Sequence, residues 1–500
     1  MINRLLATTA LALAVSLSSA LAAETDVRIV LSEDLDLLEP CMATRSNIGR
    51  VILENVNETL TEYDTQGGGG LRPRLAERWE QQPDGSWRFH LRQGVTFSDG
   101  STFDARDVKH SFDRAMNSAM TCETPRYFGG MTVTATVVDD HTIDFAADPV
   151  QPILPLLMSL VTIVPEETPV EFVRDPVGTG PYAVTEWTPG QQIVLTRRDG
   201  YWGEQPAVTS ATYLFRTDPA VRAAMVQTGE ADIAPSIAQT DATNPATDFS
   251  YLNSETVYLR VDHSVPPFND VRVRRALNMA IDRAAFIGTL LPEGTEQAVA
   301  MFPPTTQGAN PDVKPWAFDL EGAKALLEEA RADGVPVDAE FTLIARTENF
   351  PGVTEVMEAT LQMLQDAGFN AKLQMFEVAD HERFYSKPYP ADRGPYVLAA
   401  MHDNNKGDPV FSMFFKYDSE GRQSGVSDPG VNQMIAEASA ATGDERARKW
   451  SDLVAHLHDE VVADVLLWHM VGFSRVSERL DWRPSIATNS QLQLAQIGFR

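Results

Sequence analysis

Trp87, Phe89 and Leu91 alternate with Arg88, His90 and Arg92, and this alternation predicts a half-buried strand with one wet face. A Pro83-Asp84-Gly85 turn precedes it and an Asp99-Gly100 turn follows it. Asp104 then stands where it can cap a helix that carries Val108, Phe112 and Ala115 at helical spacing. Residues 132–146 read as a hairpin reversing at Asp139-Asp140. The first third is therefore expected to be α+β with antiparallel strands.

The segment "PVGTGPYAVTEWTPGQQIVLTRRDGYWG" at residues 176–203 raises the question of a phosphate loop, since Gly178 and Gly180 sit close together. A nucleotide fingerprint needs its glycines between a strand and a helix. Here they run into Pro181, which has no N–H, and then into alternating residues from Tyr182 to Trp187. Thr188-Pro189-Gly190 turns the chain and "QIVLTRR" returns it, so the glycines introduce a β-hairpin. Gly67 to Gly70 are not followed by Lys-Ser/Thr and read as a loop tip.

The second half changes period. After an Asn269/Asp270 cap, Ala276, Leu277, Ala280, Ile281 and Ala284 fall on one helical face. Ala323, Leu326, Leu327 and Ala330 repeat the spacing in a helix that ends at Gly334. "EFTLIAR" reads as a strand, "VTEVMEATLQMLQDAG" as a helix closed by Gly368, and "NAKLQMFEV" as another strand. Strand, helix, strand in that order implies a βαβ unit in a mixed or parallel sheet. Toward the end, Ala447, Trp450, Val454, Leu457 and Val461 form a buried stripe, "DVLLWHMVGFSRV" a buried strand and "LQLAQIGF" a closing strand.

The N-terminus adds a compartment. Arg4, an apolar run from Leu5 to Val15 and small residues through Ala20 and Ala22 read as a secretory signal peptide cut after Ala22 or Ala23. No later stretch reaches the ~18 uncharged apolar residues of a membrane span, so an exported, soluble chain is expected. Without Arg4 it holds 40 basic and 70 acidic residues, a net charge of −30. Such a balance repels nucleic acid and anionic head groups. Cys41 and Cys122 form an even pair in an oxidising compartment and are expected to be bridged.

Four collinear stretches carry a resemblance across the mature chain. They are residues 176–203 above, "LAERWEQQPDGSWRFHLRQGVTFSDGSTFDARDVKHSFDRA", "NDVRVRRALNMAIDR" and "FDLEGAKALLEEA". Together they resemble the bacterial extracellular solute-binding proteins of the peptide/nickel type, family 5. The resemblance implies a mixed α/β, two-lobed periplasmic-binding-protein fold with a hinge. It is the larger, dipeptide-binding-protein-like type with an extra subdomain in the first lobe. The expected organisation is a signal peptide at 1–22, lobe I at 23–56, its subdomain at 57–177, lobe I again at 178–261, lobe II at 262–469 and a closing segment of lobe I at 470–500. The implied role is that of a periplasmic receptor of an ABC importer, a monomer that captures a peptide or peptide-like solute by closing on it. Its partners would be the permease and ATPase, and no cofactor or nucleic acid is implied.

In peptide-binding relatives an aspartate in a Gly/Asp/Asn-rich loop holds the ligand ammonium, and an arginine holds the carboxylate of short peptides. "AAMHDNNKGDPVF" resembles that loop, with Asp403 in the ammonium position flanked by His402 and Asn404 and with Asp408-Pro409 in the following turn. Asn405 and Lys406 lengthen the usual spacing by about two residues. Arg346, at the end of a strand, lies near where dipeptide receptors place their arginine. "EPCMATRSN" resembles the early loop that lines the cleft and offers Thr44, Arg45, Ser46 and Asn47.

Other readings stay open in the sequence. Nickel, haem, opine and sugar receptors share the scaffold, and spacing leaves room for a metal chelate held through His402. A secreted hydrolase is the rival from another class, although the chain has no Gly-x-Ser-x-Gly elbow, no His-Glu-x-x-His pair and no compact Cys/His cluster.

Overall fold

The strands Asp248–Val261 and Asp464–Val476 run antiparallel through the middle of the molecule and belong to a single sheet that continues on both sides of them. In the computed structural model the described residues are 25–500 without 65–69, 123, 129–130, 348 and 405–406. The signal peptide, most of the Gly67–Gly70 run and the inserted Asn405 and Lys406 lie outside the described residues.

On one side of the central pair the sheet continues through Tyr396–Asp403, Phe341–Arg346 and Ala371–Phe376. Phe341–Arg346 pairs in parallel with both of its neighbours, which is the βαβ arrangement expected from the order of the segments, with Val353–Asp366 as the crossover helix. Both faces of this half are covered. Val257, Leu259 and Val261 point into one buried cluster with Leu277, Leu327 and Met357. Tyr258 points into another with Trp450, Leu453 and Met413. Double coverage explains why residues 256–261 are buried without a break.

On the other side the sheet runs through Ile233–Ala234, Asp26–Leu31, Ser210–Phe215 and the hairpin Gln192–Arg197 with Tyr182–Thr188. Its core gathers Ile29, Val51, Tyr213, Leu195 and the late residues Leu492 and Leu494. The glycines before the hairpin serve close packing. A Cβ on Gly178 would lie 2.0 Å from the Val56 carbonyl oxygen, and one on Gly180 2.4 Å from that of Asn55. Attached to this lobe is a four-stranded sheet in the order Ala76–Gln81, Trp87–Leu91, Thr142–Asp148, Thr132–Asp139. The helix Ala105–Met116 packs on it, capped by Asp104 as expected, with Val108, Phe112 and Ala115 all buried.

The Cys41–Cys122 disulfide is present. Beside it Arg114 makes a buried ion pair with Glu39 at 2.7 Å, and Glu39 also accepts the Cys41 N–H at 3.1 Å. The segment leading to residue 47 is thus fixed at its start by a covalent and an ionic link.

Two expectations fail. The helix capped by Asp270 ends at Met279, and Ala284 is exposed in a short 3-10 turn. The buried Arg283 donates to the carbonyl oxygens of Asn278 and Leu466 at 2.9 and 2.7 Å, which draws the chain out of the helical path. The closing "LQLAQIGF" is largely a 3-10 turn at Leu494–Gln496, and only Gly498–Phe499 pairs as strand. Its alternating Leu492 and Leu494 are buried, but the side chain of Asn55 takes the place of a partner strand. Asn55 Nδ2 donates to the Leu492 carbonyl at 2.9 Å, and its Oδ1 accepts the Leu494 N–H at 2.8 Å.

Candidate functional site

The fixed segment leads directly into the helix Ser46–Ile52. Asn47 and Arg50 share a face of it at i, i+3 spacing, and Asn47 Oδ1 accepts from Arg50 Nη1 at 2.6 Å. Arg50 Nε donates to the Thr488 carbonyl at 2.8 Å, while Asn47 Nδ2 donates to Glu33 Oε1 at 3.0 Å. Gly49 lets this helix approach the closing segment, since a Cβ there would lie 2.1 Å from the Ser490 carbonyl oxygen. Arg50 is therefore a buried cation held in place by neutral groups. Burial draws it below the ordinary arginine range, against the pull of Tyr251, Glu255, Asp403 and Glu33.

Opposite stands the central strand pair. Glu255 and Asp403 are direct neighbours in register on Asp248–Val261 and Tyr396–Asp403. The Ser254 hydroxyl donates to Asp403 Oδ1, and Asn253 Nδ2 donates to Glu255 Oε2 at 2.8 Å. Burial, and then the charge of Asp403, push Glu255 up to about 7, while the Asn253 hydrogen bond, Arg50 and Arg346 pull the other way. Arg346 ends the strand Phe341–Arg346, and its Nη2 donates to Asn349 Oδ1 at 2.9 Å. Its buried Nε has no protein acceptor.

These groups surround a cavity of about 380 Å³. Ser46 and Arg50, from the helix Ser46–Ile52, and Arg222 contribute to its wall, and the strand Asp248–Val261 adds Tyr251, Asn253 and Glu255. Leu290, Phe350, Met401 and Met470 form an apolar side. Arg50 and Arg222 thus face the same cavity as Glu255, an arrangement suited to a zwitterionic solute.

The residues singled out in the sequence distribute unevenly. Ser46 lines the cavity. Asp403 and Arg346 lie behind its wall, close enough for their charges to act on Glu255. Asn47 acts through Arg50. Thr44 is partly buried, with its hydroxyl oxygen lacking a protein partner, and Arg45 is exposed at the helix start. His402 and Asn404 are not brought to the cavity. Strand alternation turns His402 away from Asp403. It lies under the helix Val410–Tyr417, with Nε2 2.8 Å from Ser412 Oγ. Asn404 Nδ2 donates to that same hydroxyl at 2.9 Å, which leaves the Ser412 proton for His402. Burial and the charge of Lys416 hold this imidazole well below its ordinary range, so it is neutral at pH 7. Among the described residues no group of three or more His, Cys, Asp and Glu side chains is placed to hold a metal ion.

The sequence reading missed Arg50, Arg222, Tyr251, Asn253 and Glu255. A signal existed for the last two: Asn253, Ser254 and Glu255 are three polar residues in a row and break the alternation in the middle of their strand. For Arg50 the clue was its i, i+3 relation to Asn47. Arg222 donates to the carbonyl oxygens of Ser236, Arg216 and Thr217, a cage of loops that no spacing announces.

Comparison with known proteins agrees with this architecture. The dipeptide-binding protein of Escherichia coli K12 is 27% identical over 446 residues, covering 82% of each chain. The nickel-binding periplasmic protein of the same organism is 28% identical over 454 residues, covering 81% of this chain and 82% of the relative. The solved structure of HbpA2 from Haemophilus parasuis superposes with a TM-score of 0.81 at 20% identity, over 95% of this chain and all of that one, and so shares the fold. Residues 70–422 match the description "Bacterial extracellular solute-binding proteins, family 5 Middle", and with most of its length so matched the chain belongs to that family of transport receptors.

Proposed function

We propose that this protein is the receptor of an ABC importer for a short peptide or peptide-like zwitterion, which it encloses between its lobes and passes on chemically unchanged. The observation that carries the reading is the cavity of about 380 Å³ with Glu255 of the strand Asp248–Val261, Arg50 and Arg222 in its wall, and Asp403 and Arg346 close behind. Asp403, with Glu255, would take the ligand ammonium, and Arg50 and Arg346 its carboxylate. The names of the dipeptide-binding and glutathione-binding relatives are consistent with a ligand of this size and charge.

A ligand closes such a molecule only by binding the closed form better than the open one. Charged groups from separate lobes meet that condition, because they converge on one solute only when the lobes approach. We place lobe I at 23–56 and 178–261 with its subdomain at 57–177, lobe II at 262–469 and the closing segment at 470–500. We also infer a periplasmic monomer, released from a signal peptide that ends at Ala22. No helix among the described residues is long and apolar enough to cross a membrane.

A thermal-shift screen of di- and tripeptides tests the reading, since a ligand at a hundred times its dissociation constant adds ~2.7 kcal/mol to stability. Hits should be recovered intact by mass spectrometry, and Arg50→Ala and Asp403→Ala should each weaken them by at least tenfold, about 1.4 kcal/mol. Hydrolysed peptides, or unchanged affinity in both variants, would refute it.

A further inference from the structure

The polar run Asn253-Ser254-Glu255 coincides with an irregularity in the central strand pair. Leu252 pairs with Val471 and Thr256 with His469, so these three residues face Met470 alone. A bulge gives up ladder hydrogen bonds and re-aims side chains, and bulges recur beside binding sites. This one leaves Glu255 in register with Asp403 on its other side while bringing Glu255 to the cavity wall. Arg50 and Arg346 attract Glu255 from a distance, while they hydrogen-bond Asn47, Thr488 and Asn349. Glu255 and the neighbouring Asp403 together supply a carboxylate beyond the one an ammonium requires.

We propose that Glu255 is a specificity-determining residue, whose carboxylate at the cavity wall, reinforced by the charge of Asp403 behind it, favours ligands that carry two cationic groups near one end, as does a peptide beginning with lysine or arginine. This rests on the peptide reading given above. Two adjacent carboxylates cannot both ionise cheaply, and a single ammonium neutralises only one of them. A dication pairs both.

The charged and titratable groups facing Glu255 are Asp403 from the neighbouring strand, Arg50 from the helix of lobe I and Arg346 from lobe II. Tyr251 lies on its own strand. On the strand across the bulge, His469 bonds Thr256 Oγ1 through Nδ1 at 2.9 Å, and burial lowers it to about 4, so it stays neutral. Burial, and then the charge of Asp403, push the Glu255 carboxyl up to about 7. Affinity for a dication should accordingly rise as pH climbs through that value, while a monocation gains less.

Calorimetric titration with Lys-Ala and Met-Ala, near pH 6 and near pH 8, on the wild type and on Glu255→Gln decides the matter. The readout is the ratio of the two affinities. The wild type should favour Lys-Ala by about tenfold near pH 8, the worth of one charge-assisted hydrogen bond, and by less near pH 6. Glu255→Gln should bring the ratio toward unity at both. A ratio unchanged by the substitution overturns the proposal. If neither dipeptide binds the wild type, the peptide reading falls, and putrescine, a diamine without a peptide group, decides this inference by thermal shift. Stabilisation near pH 8 that Glu255→Gln removes supports it, and no stabilisation overturns it.

Discussion

The Tyr63 hydroxyl donates to the carbonyl oxygen of Gly407 at 3.1 Å, joining the strand Thr61–Tyr63 to the loop that follows Asp403. Gly407 has φ +68°, and a Cβ there would stand 2.2 Å from Tyr63 Cε1, so the ring can reach the loop only because the side chain is missing. Nearby, Tyr127 and Phe411, also far apart in the sequence, meet edge to face at 5.5 Å. The loop itself is anchored by Asp408, which takes both terminal nitrogens of Arg446 at 2.7 and 2.8 Å.

Tyr63→Phe removes one neutral hydrogen bond of this contact and should weaken ligand binding by roughly fivefold, about 1 kcal/mol. Gly407→Ala should do more, because the added methyl both blocks the ring and strains the backbone. Titration calorimetry gives the affinities, and small-angle scattering should show the Gly407→Ala protein remaining open with ligand present.

Breaking the Cys41–Cys122 bridge should lower stability by on the order of 4 kcal/mol on the chain-entropy account for a loop of this length. It should also weaken binding, since the loosened segment leads to Ser46, Asn47 and Arg50. Urea unfolding with and without dithiothreitol measures the first effect and calorimetry on the reduced protein the second. Equal affinities would show that the Glu39–Arg114 pair holds the segment by itself.

Arg114→Met strips a charge from a pair that is buried on both sides. The Glu39 carboxylate would be left without its counter-ion, at a cost of roughly 3 to 5 kcal/mol. Replacing both residues together, Glu39→Gln with Arg114→Met, should recover part of that loss in chemical denaturation. A double variant no better than the single one would contradict this account.

Asp464 lies buried at the start of its strand, and burial pushes its carboxyl up to about 7 despite a hydrogen bond from the Val261 N–H at 3.1 Å. Its folded-state value is above that of the unfolded chain. The stability it contributes is thus fully present below about pH 4 and is lost as pH rises through about 7. The protein should therefore weaken between mildly acid and mildly alkaline pH, and Asp464→Asn should flatten that decline. Thermal melts over this range report the slope, and a variant whose slope matches the wild type would contradict the assignment.

The periodic elements were legible because each carries its own punctuation. Asp104, Asp270, Gly334 and Gly368 mark helix ends, and the alternation around Phe89 and Tyr182 marks strands whose second face is wet. What escaped were features made by distant partners. The helix after Asp270 stops early because Arg283 bonds Leu466, far along the chain, and the closing strand is replaced by a turn because Asn55 supplies its hydrogen bonds. The site follows the same rule. Ser46 could be brought to notice by a motif, whereas Arg50 and Glu255 reach the cavity through a helix and a bulge that meet only in the folded molecule.

The uninterrupted sheet limits how this molecule can be dissected. Because Asp248–Val261 and Asp464–Val476 are shared, neither half has a linker at which it could be severed and expressed alone. A fragment cut between residues 262 and 469 would lose the neighbour of Tyr396–Asp403 and present a bare, apolar strand edge, an invitation to aggregation. Studies of one half in isolation would therefore have to carry both crossing strands along with it.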